Sequence, residues 1–297
     1  MMRRRLVRLL ACCALAFPPF SSALGAVSVS DDAKRTVTLP GPARRIISLS
    51  PHATEILYAA GAGSRIVGVV EYTDYPPEVK RIPSVGSGLA LDLERLVTLK
   101  PDLVVFWGSG SSAAQIRKLR ELGIPVFESE PRDFPTIATS IERLAKLAGT
   151  DKIGQAAANA FRAQLQRIES TYRQRSNVTV FYQIWRTPLM TLNGEHPVSL
   201  ALRLCGATNI FANLPQLAPT VSAEAVLQAN PDVIIASTGE QDDVLDGWRR
   251  FPNLKAVSKG NLLLIDGGMM NRSGPRILDA TETLCRQLES ARRKRSR

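Results

Sequence analysis

Short runs of apolar residues alternate in the first half of the chain with stretches in which apolar residues recur at helical spacing. The apolar runs lie in the segments RIISLS, RIVGVV, DLVVFW and IPVFES, and the helical stretches between them are ATEILYAAGA, LERLVTL and AAQIRKLRELG. Uninterrupted apolar runs separated by amphipathic helices are typical of a parallel sheet that is covered on both faces. This half therefore predicts an α/β lobe, preceded by an edge hairpin over residues 27–39.

One long stretch without proline divides the chain. Residues 151–175 contain a single glycine and favour a helix of roughly 35 Å, at about 1.5 Å per residue. The alternation then begins again, with apolar runs in VTVFYQ, PLMTLNG, DVIIAS and LLLIDG and helical stretches in VSLALRLCG, AEAVLQAN, DDVLDGWRRF and PRILDATETLCRQLESA. The predicted fold class is α/β, with two parallel-sheet lobes over residues 26–150 and 177–290 joined by one rigid helix over residues 151–176.

A fifteen-residue pattern occurs once in each lobe. It reads LDLERLVTLKPDLVV over residues 91–105 and VSAEAVLQANPDVII over residues 221–235, so that Glu94 and Glu224 are 130 positions apart (224 − 94). In both copies a capping residue precedes a helix with glutamate in its first turn, and Pro-Asp opens the next strand. A carboxylate in a first turn complements the helix dipole, which explains these glutamates without requiring them.

The chain begins with a basic segment followed by a short apolar run. Arginines lie among residues 3–8, the apolar run spans residues 6–17, and small residues follow it. This order is typical of a cleaved signal peptide, which we expect over residues 1–25, and the run is too short to span a bilayer. Export to the periplasm follows, and lipidation at Cys12 is the alternative.

The positive charge is concentrated at the two ends of the chain. The formal net charge is +11, of which four arginines belong to the predicted signal peptide and five basic residues to the tail over residues 291–297, leaving +2 (11 − 4 − 5). We expect the tail to be a solvated basic end. No basic stripe interleaved with aromatic residues indicates a nucleic-acid partner.

Two cysteines, Cys205 and Cys285, remain after the predicted signal peptide. In an oxidising compartment two cysteines can pair, so a disulfide between them is one prediction. Two separate buried thiols are the alternative.

The sequence lacks a recognisable set of catalytic residues. The glycine-rich segment over residues 107–112 has neither the Lys-Ser/Thr ending of a phosphate loop nor a full GxGxxG, and no G-x-S-x-G occurs. His52 and His196 are far apart and form no metal-spaced pair. His52 follows a strand, where open α/β sheets bind ligands, but a loop histidine without a function fits as well. We therefore predict no metal and no enzymatic activity, with an exported α/β enzyme as the alternative.

Several long segments carry a resemblance to a known family: RRIISLSPHATEILYAAGAGSRIVGVVEYTDYPPEVKRIPSVG, LDLERLVTLKPDLVVFW and LRELGIPVF. They resemble the periplasmic substrate-binding proteins of ABC importers whose lobes are joined by a rigid helix, the class III clan, and among these the vitamin B12 (cobalamin) binders. The resemblance covers residues 44–289. It implies a monomer without a cofactor that captures a small molecule between its lobes and delivers it to a permease dimer in the inner membrane.

The resemblance also implies roles for particular residues. Tyr72 matches a tyrosine that packs against the corrin ring, and Trp107 matches an aromatic residue of the same cleft. Residues Gly268 to Arg272 match a ligand-contacting loop, with Arg272 facing the ligand. Trp185 follows a strand and is either another wall of the cleft or a half-buried interface residue.

Further positions concern the permease and the identity of the ligand. Glu94 and Glu224 match glutamates that pair with arginines of the permease. Where well-known cobalamin binders carry tryptophans, this chain has Gly88 and Ala218. These two departures are consistent with a cleft for a bulkier or different corrinoid, and they leave haem and ferric siderophores as alternative ligands.

Overall fold

The computed structural model describes residues 25–238 and 244–295, and two α/β lobes make up most of these residues. The predicted signal peptide, with the alternative lipidation at Cys12, lies outside the described residues apart from Gly25. Within the described ranges, no helix combines the length and the apolar character that crossing a membrane requires.

The first lobe alternates strands and helices as the sequence predicts. Its elements are β1 (Val27–Ser30), β2 (Thr36–Leu39), β3 (Ile46–Ser48), α1 (Pro51–Ala59), β4 (Ile66–Val69), α2 (Leu93–Thr98), β5 (Leu103–Trp107), α3 (Ala113–Glu121), β6 (Val126–Ser129) and α4 (Phe134–Ala148), with 3₁₀ turns at Gly63–Arg65 and Pro77–Arg81. The strands β4-β3-β5-β6 pair in that order, all in parallel, and β1 and β2 form the predicted antiparallel hairpin. All three side chains of β3 are buried, as expected for a strand covered on both faces.

The linking helix and the second lobe follow. Their elements are α5 (Asp151–Tyr172), β7 (Val178–Gln183), α6 (Pro197–Leu204), β8 (Ala207–Asn209), α7 (Ala223–Ala229), β9 (Val233–Thr238), α8 (Asp246–Arg249), α9 (Lys255–Ser258), β10 (Leu262–Asp266), α10 (Gly267–Met270) and α11 (Ile277–Arg295). The strands pair in parallel in the order β10-β9-β7-β8. The linking helix ends at Tyr172, four residues before the predicted end.

One strand of the second lobe lies where the sequence did not predict it. The segment PLMTLNG is not a strand, because its backbone is engaged by loops on either side: Met190 forms isolated bridges with Trp185 and Thr220. The fourth place in the sheet is taken by β8, whose sequence Ala-Thr-Asn contains no apolar run. The apolar character of PLMTLNG reflects burial, with Leu192 in the core, rather than strand pairing.

The helix α5 packs against both lobes. Gly154 allows it to lie close to α4, since a Cβ at this position would be 2.1 Å from the Cβ of Ala145. Near its other end, Arg167 forms an ion pair with Glu282 of α11. The largest core cluster accordingly contains side chains of α5, such as Phe161, together with buried strand residues of both lobes. The two lobes are therefore packed on a common helix and not merely tethered by it.

The predicted solvated tail from residue 291 is wrong for its first part. The helix α11 continues to Arg295, and the side chain of Arg292 is buried. Its guanidinium donates to the carbonyl oxygens of Cys205 (2.6 Å), Gly206 (2.9 Å) and Ser176 (2.7 Å). A cation at this place is favourable because the last carbonyls of a helix, here α6, have no partner within the helix.

The predicted disulfide is confirmed, since Cys205 and Cys285 are bonded to each other. Cys205 directly follows α6 and Cys285 lies within α11, so the bond ties these two helices of the second lobe together. The alternative of two separate thiols is thereby wrong.

Candidate functional site

Exposed aromatic side chains lie at the carboxyl ends of parallel strands in both lobes. Tyr72 follows β4, Trp107 is the last residue of β5, and Trp185 follows β7. They are 81%, 42% and 61% exposed, respectively, although large aromatic side chains are usually buried. In open α/β sheets the carboxyl ends of the strands form the crevice that binds ligands. The structure thus places the predicted wall residues at the edges where a ligand cleft is expected.

Tyr72 is held in an unusual backbone conformation. Its φ angle is +62°, a left-handed conformation that costs a residue with a Cβ roughly 1–2 kcal/mol. Arg272 of the second lobe donates to the carbonyl oxygen of Tyr72 at 3.3 Å, a bond that helps to hold this turn. The turn leaves the aromatic ring in solvent, available for contact with a ligand.

The indole of Trp107 packs against His52 and against the glycine-rich segment that follows it. The ring of His52 meets its indole edge-on, with ring centroids 5.8 Å apart and planes at 85°. A Cβ on Gly110 would lie 1.8 Å from an indole carbon of Trp107, so only glycine allows the loop to pass over the ring. The N–H of Ser109 donates to the carboxylate of Glu130 at 2.8 Å. The glycine-rich segment therefore packs around an indole, and part of its backbone is already bound to an anionic side chain.

Two exposed leucines stand beside the positions where the sequence departs from the cobalamin binders. Leu89, next to Gly88, is 73% exposed, and Leu217, next to Ala218, is 49% exposed. Neither leucine was predicted from the sequence to line the site, although each directly flanks a position where a tryptophan is missing. A Cβ on Gly88 would lie 3.2 Å from the carbonyl oxygen of Gly110, so a bulky side chain there requires this loop to shift.

The segment between β10 and α11, which contains α10 and the turn after it, contacts the first lobe. Arg272 lies 2.5 Å from a carboxylate oxygen of Asp74 and 3.4 Å from one of Glu55. Arg276 donates to both carboxylate oxygens of Glu55, at 3.0 and 2.5 Å, and to the carbonyl oxygen of Gly268 at 3.4 Å. The predicted ligand-facing arginine is thus paired with carboxylates of the other lobe. Gly268 lies in the short helix α10 and not in a loop, as the resemblance had implied.

The charged side chains that meet between the two lobes perturb one another's pKa. Partial burial acts to raise the pKa of Asp74, but the hydrogen bond and the positive charge of Arg272 outweigh it and lower that pKa. Burial acts to lower the pKa of Arg276, but the hydrogen bond and the negative charge of Glu55 outweigh burial and raise that pKa. The carboxylate of Asp74 and the guanidinium of Arg276 are therefore charged near neutral pH.

The fifteen-residue repeat corresponds to equivalent structure in both lobes. The side chain of Asp92 accepts from the N–H of Arg95 at 2.9 Å, and that of Ser222 accepts from Ala225 at 3.1 Å, which caps α2 and α7. Each helix is followed by a residue in the left-handed conformation, at 100 (φ 47°) and 230 (φ 44°). The capping pattern predicted from sequence is confirmed.

The Pro-Asp pairs also have a folding role. Asp102 accepts from the N–H groups of Arg44 (2.7 Å) and Arg45 (2.9 Å) just before β3. Asp232 accepts from the N–H of Thr179 (3.0 Å) in β7. Each aspartate therefore fixes the start of the neighbouring central strand of its sheet.

The two repeated glutamates remain on the surface. Glu94 and Glu224 lie in the first turns of α2 and α7, and both are exposed. Hydrogen bonds from its own backbone N–H and from the Ser222 hydroxyl lower the pKa of Glu224. Apart from the hydrogen bond that Glu224 accepts from the Ser222 hydroxyl, the contacts that cap the two helices and fix the strands do not involve these carboxylates, which are accessible at the surface.

The two histidines are both held in the neutral form. His52 lies in α1 and not in a loop, and burial lowers its pKa from 6.5 to about 4, while its Nε2 donates to the carbonyl oxygen of Ser129 at 3.2 Å. Burial also lowers the pKa of His196 to about 4, and its Nδ1 accepts the N–H of Val198 at the start of α6. In the described parts of the chain, no group of three or more His, Cys, Asp or Glu side chains could hold a metal ion.

Lowering the pH from 6.5 to 4 is expected to destabilise the fold through these histidines. Both bind a proton near pH 6.5 when unfolded but only near pH 4 when folded, so their stabilisation is complete above pH 6.5 and is lost towards pH 4. The loss is as much as about 3 kcal/mol for each histidine. Urea unfolding at pH 7, 5.5 and 4 measures it.

The matched variants are His52→Gln and His196→Asn, the latter keeping an acceptor for the cap of α6. The double variant should be less stable than the parent at pH 7, but its free energy of unfolding should fall much less between pH 6.5 and 4. A double variant with the same decline as the parent would contradict the assignment.

Comparisons with known proteins place the chain in a family context. Residues 46–267 match the model of the family described as periplasmic binding protein. The vitamin B12-binding protein of Vibrio cholerae serotype O1 is 38% identical over 257 residues, which cover 86% of this chain and 92% of that protein.

Two solved structures are similar in fold. The crystal structure of the periplasmic vitamin B12 binding protein BtuF of Vibrio cholerae has a TM-score of 0.79 at 38% identity, covering 84% of this chain and 98% of that chain. The periplasmic heme-binding protein RhuT from Roseiflexus sp. RS-1 has a TM-score of 0.74 at 24% identity, covering 84% and 98%. At that identity the second likeness concerns the fold alone.

Proposed function

Because the chain belongs to the periplasmic binding protein family, we propose that it captures a corrinoid, cobalamin or a cobinamide-like molecule, and delivers it to the permease of an ABC importer. The placement of Tyr72, Trp107 and Trp185 at strand carboxyl ends in both lobes carries this proposal. Relatives named vitamin B12-binding protein support the choice of ligand. The signal peptide over residues 1–25 is cleaved on export, and the mature chain works in the periplasm as a monomer without catalysing a reaction.

The chemistry of a corrinoid suits this cleft. A corrin ring is a large and mostly apolar surface with amides around its rim, and aromatic side chains offer flat apolar faces to such a ring. Leu89 and Leu217 extend the apolar wall where tryptophans are lacking. The segment from Gly268 to Arg272, in α10 and just after it, supplies polar groups for the amide rim.

The repeated glutamates are the proposed contacts with the permease. Glu94 and Glu224 lie in equivalent first turns, one on each lobe, and both are exposed. A permease made of two like subunits presents two similar surfaces, and arginine is a suitable partner because its planar fork holds a carboxylate with two hydrogen bonds.

Removing an aromatic wall residue is expected to weaken corrinoid binding. Trp107→Ala or Tyr72→Ala takes away an apolar contact worth roughly 1.5–3 kcal/mol, so the dissociation constant for cyanocobalamin should rise about tenfold or more. Isothermal titration of the mature chain measures this. Ile153→Ala is the matched control, because Ile153 is an exposed apolar residue of α5 and not at a strand carboxyl end.

The rival ligands are haem and a ferric siderophore, because this chain lacks aromatic residues at Gly88 and Ala218. Haemin and ferric siderophores are therefore titrated beside cyanocobalamin and cobinamide. Tight binding of haemin without measurable binding of any corrinoid would sink the proposal.

A further inference from the structure

A cluster of four charged side chains joins the two lobes beside Tyr72. Arg272 and Arg276 of the second lobe face Asp74 and Glu55 of the first, at the distances given above. Two guanidinium groups thus meet two carboxylates. The formal charges of the cluster sum to zero.

The two carboxylates of the cluster have different surroundings. The side chain of Glu55 is 2% exposed and receives both bonds from Arg276, whose guanidinium also lies 3.8 Å from the ring centre of Tyr75. The side chain of Asp74 is 61% exposed. If Asp74 lost its charge, the contact between Glu55 and Arg276 would still join the lobes, so Asp74 is the less important of the two for holding them together.

Asp74 instead affects the charge at the edge of the cleft. Arg272 also donates to the carbonyl oxygen of Tyr72, whose ring is 81% exposed. A ligand that contacts this ring presents its periphery close to both Arg272 and Asp74. An arginine without Asp74 would attract a ligand carboxylate, whereas the paired arginine offers little net attraction.

We propose that Asp74, by pairing with Arg272, makes the cleft select a ligand rimmed with uncharged amides over one rimmed with carboxylates. A carboxylate would have to displace Asp74 or approach its negative charge, and a neutral amide does neither. Selection of this kind works by a repulsive element against the wrong ligand. This inference deepens the proposed function and rests on it for the identity of the amide-rimmed ligand.

The test uses two pairs of ligands that differ mainly in charge. One pair is cyanocobalamin and a cyanocobalamin derivative with peripheral amides hydrolysed to carboxylates, and the other is haemin dimethyl ester and haemin. For each pair, titration gives the ratio of the two dissociation constants in the parent and in Asp74→Asn. The preference for the neutral form should fall about threefold to fivefold in Asp74→Asn, as expected for a charge that is partly screened by solvent.

Two further variants separate the charge effect from a structural one. Asp74→Asn/Arg272→Gln should return the ratio close to the parent value, because the freed cation is gone. Glu142→Gln removes a carboxylate that pairs with Arg162 between α4 and α5, and should leave the ratio unchanged. A merely structural role of Asp74 would change both affinities of a pair equally and leave their ratio as it is.

The outcomes separate this inference from the function on which it rests. An unchanged ratio in Asp74→Asn for each pair that binds overturns the role of Asp74. If the parent binds only the haemin pair and the ratio shifts as expected, the role of Asp74 stands and the corrinoid function falls. If the parent binds neither pair, both fall.

Discussion

Replacing Cys205 and Cys285 by alanine is expected to lower the free energy of unfolding of the mature chain by roughly 4 kcal/mol. The bond closes a loop with a sequence separation of 80, and in the chain-entropy model it removes that much conformational freedom from the unfolded state. Both side chains are fully buried, so the variant also loses packing between α6 and α11. Guanidinium unfolding measured by circular dichroism gives the change.

Reducing conditions supply the matched control. With dithiothreitol present from the start, the parent loses the same cross-link, so most of the difference between parent and double variant should disappear. A small difference should remain for the lost sulfur atoms. Two free thiols per chain in the unreduced, denatured parent, or equal unfolding midpoints without reductant, would contradict the prediction.

The location of the disulfide determines which helices should lose protection from hydrogen exchange when it is removed. Arg292 of α11 donates to the carbonyl oxygens of Cys205 and Gly206, so the disulfide and this guanidinium hold the end of α6 together. When the bond is removed, the loss of protection in hydrogen exchange should be largest in α6 and the second half of α11. The first lobe, which contains neither cysteine, should change less.

Much of the fold could be predicted from the sequence because local patterns determine it. Buried parallel strands such as β3, β5 and β9 are continuous apolar runs, and the helices between them have a periodic apolar face. The strand β8 was missed because its three residues pair at the sheet edge without an apolar run. The burial of Arg292 was missed because its carbonyl partners are far away along the chain.

The residues of the site likewise fall into two groups, those that the local sequence predicts and those that depend on the packing of the two lobes. Aromatic residues at the ends of apolar runs were visible in the sequence, and Tyr72, Trp107 and Trp185 are exposed there. The pairing of Arg272 was not predictable, because Asp74 and Glu55 are 198 and 217 positions away from it in sequence. Contacts of that separation depend on how the two lobes pack together.

The double change Glu94→Gln/Glu224→Gln is expected to abolish most uptake while leaving the protein folded and its ligand bound. Each glutamine keeps the size of the side chain and removes the charge that an arginine of the permease would pair with. Losing one partner of a charge pair that is desolvated on docking weakens binding by about tenfold or more, and two such losses multiply when the sites are independent. Affinity for the permease in nanodiscs, measured for both single variants and the double, tests this.

Folding should be nearly unaffected, because other side chains make the structural contacts of the repeat. Asp92 and Ser222 cap the two helices, and Asp102 and Asp232 hold the neighbouring strands. The unfolding midpoint of the double variant should therefore stay close to that of the parent, apart from the small loss of two favourable charges at helix N-termini.

A matched control separates docking from a general loss of negative charge. Glu121→Gln/Glu169→Gln removes two exposed carboxylates from α3 and α5, outside the repeat, and should leave the affinity for the permease within about twofold of the parent, because distant surface charges are screened. If the Glu94→Gln/Glu224→Gln protein binds the permease as tightly as this control does, the repeat serves folding alone. A loss of affinity at only one of the two positions would show that a single lobe makes the contact.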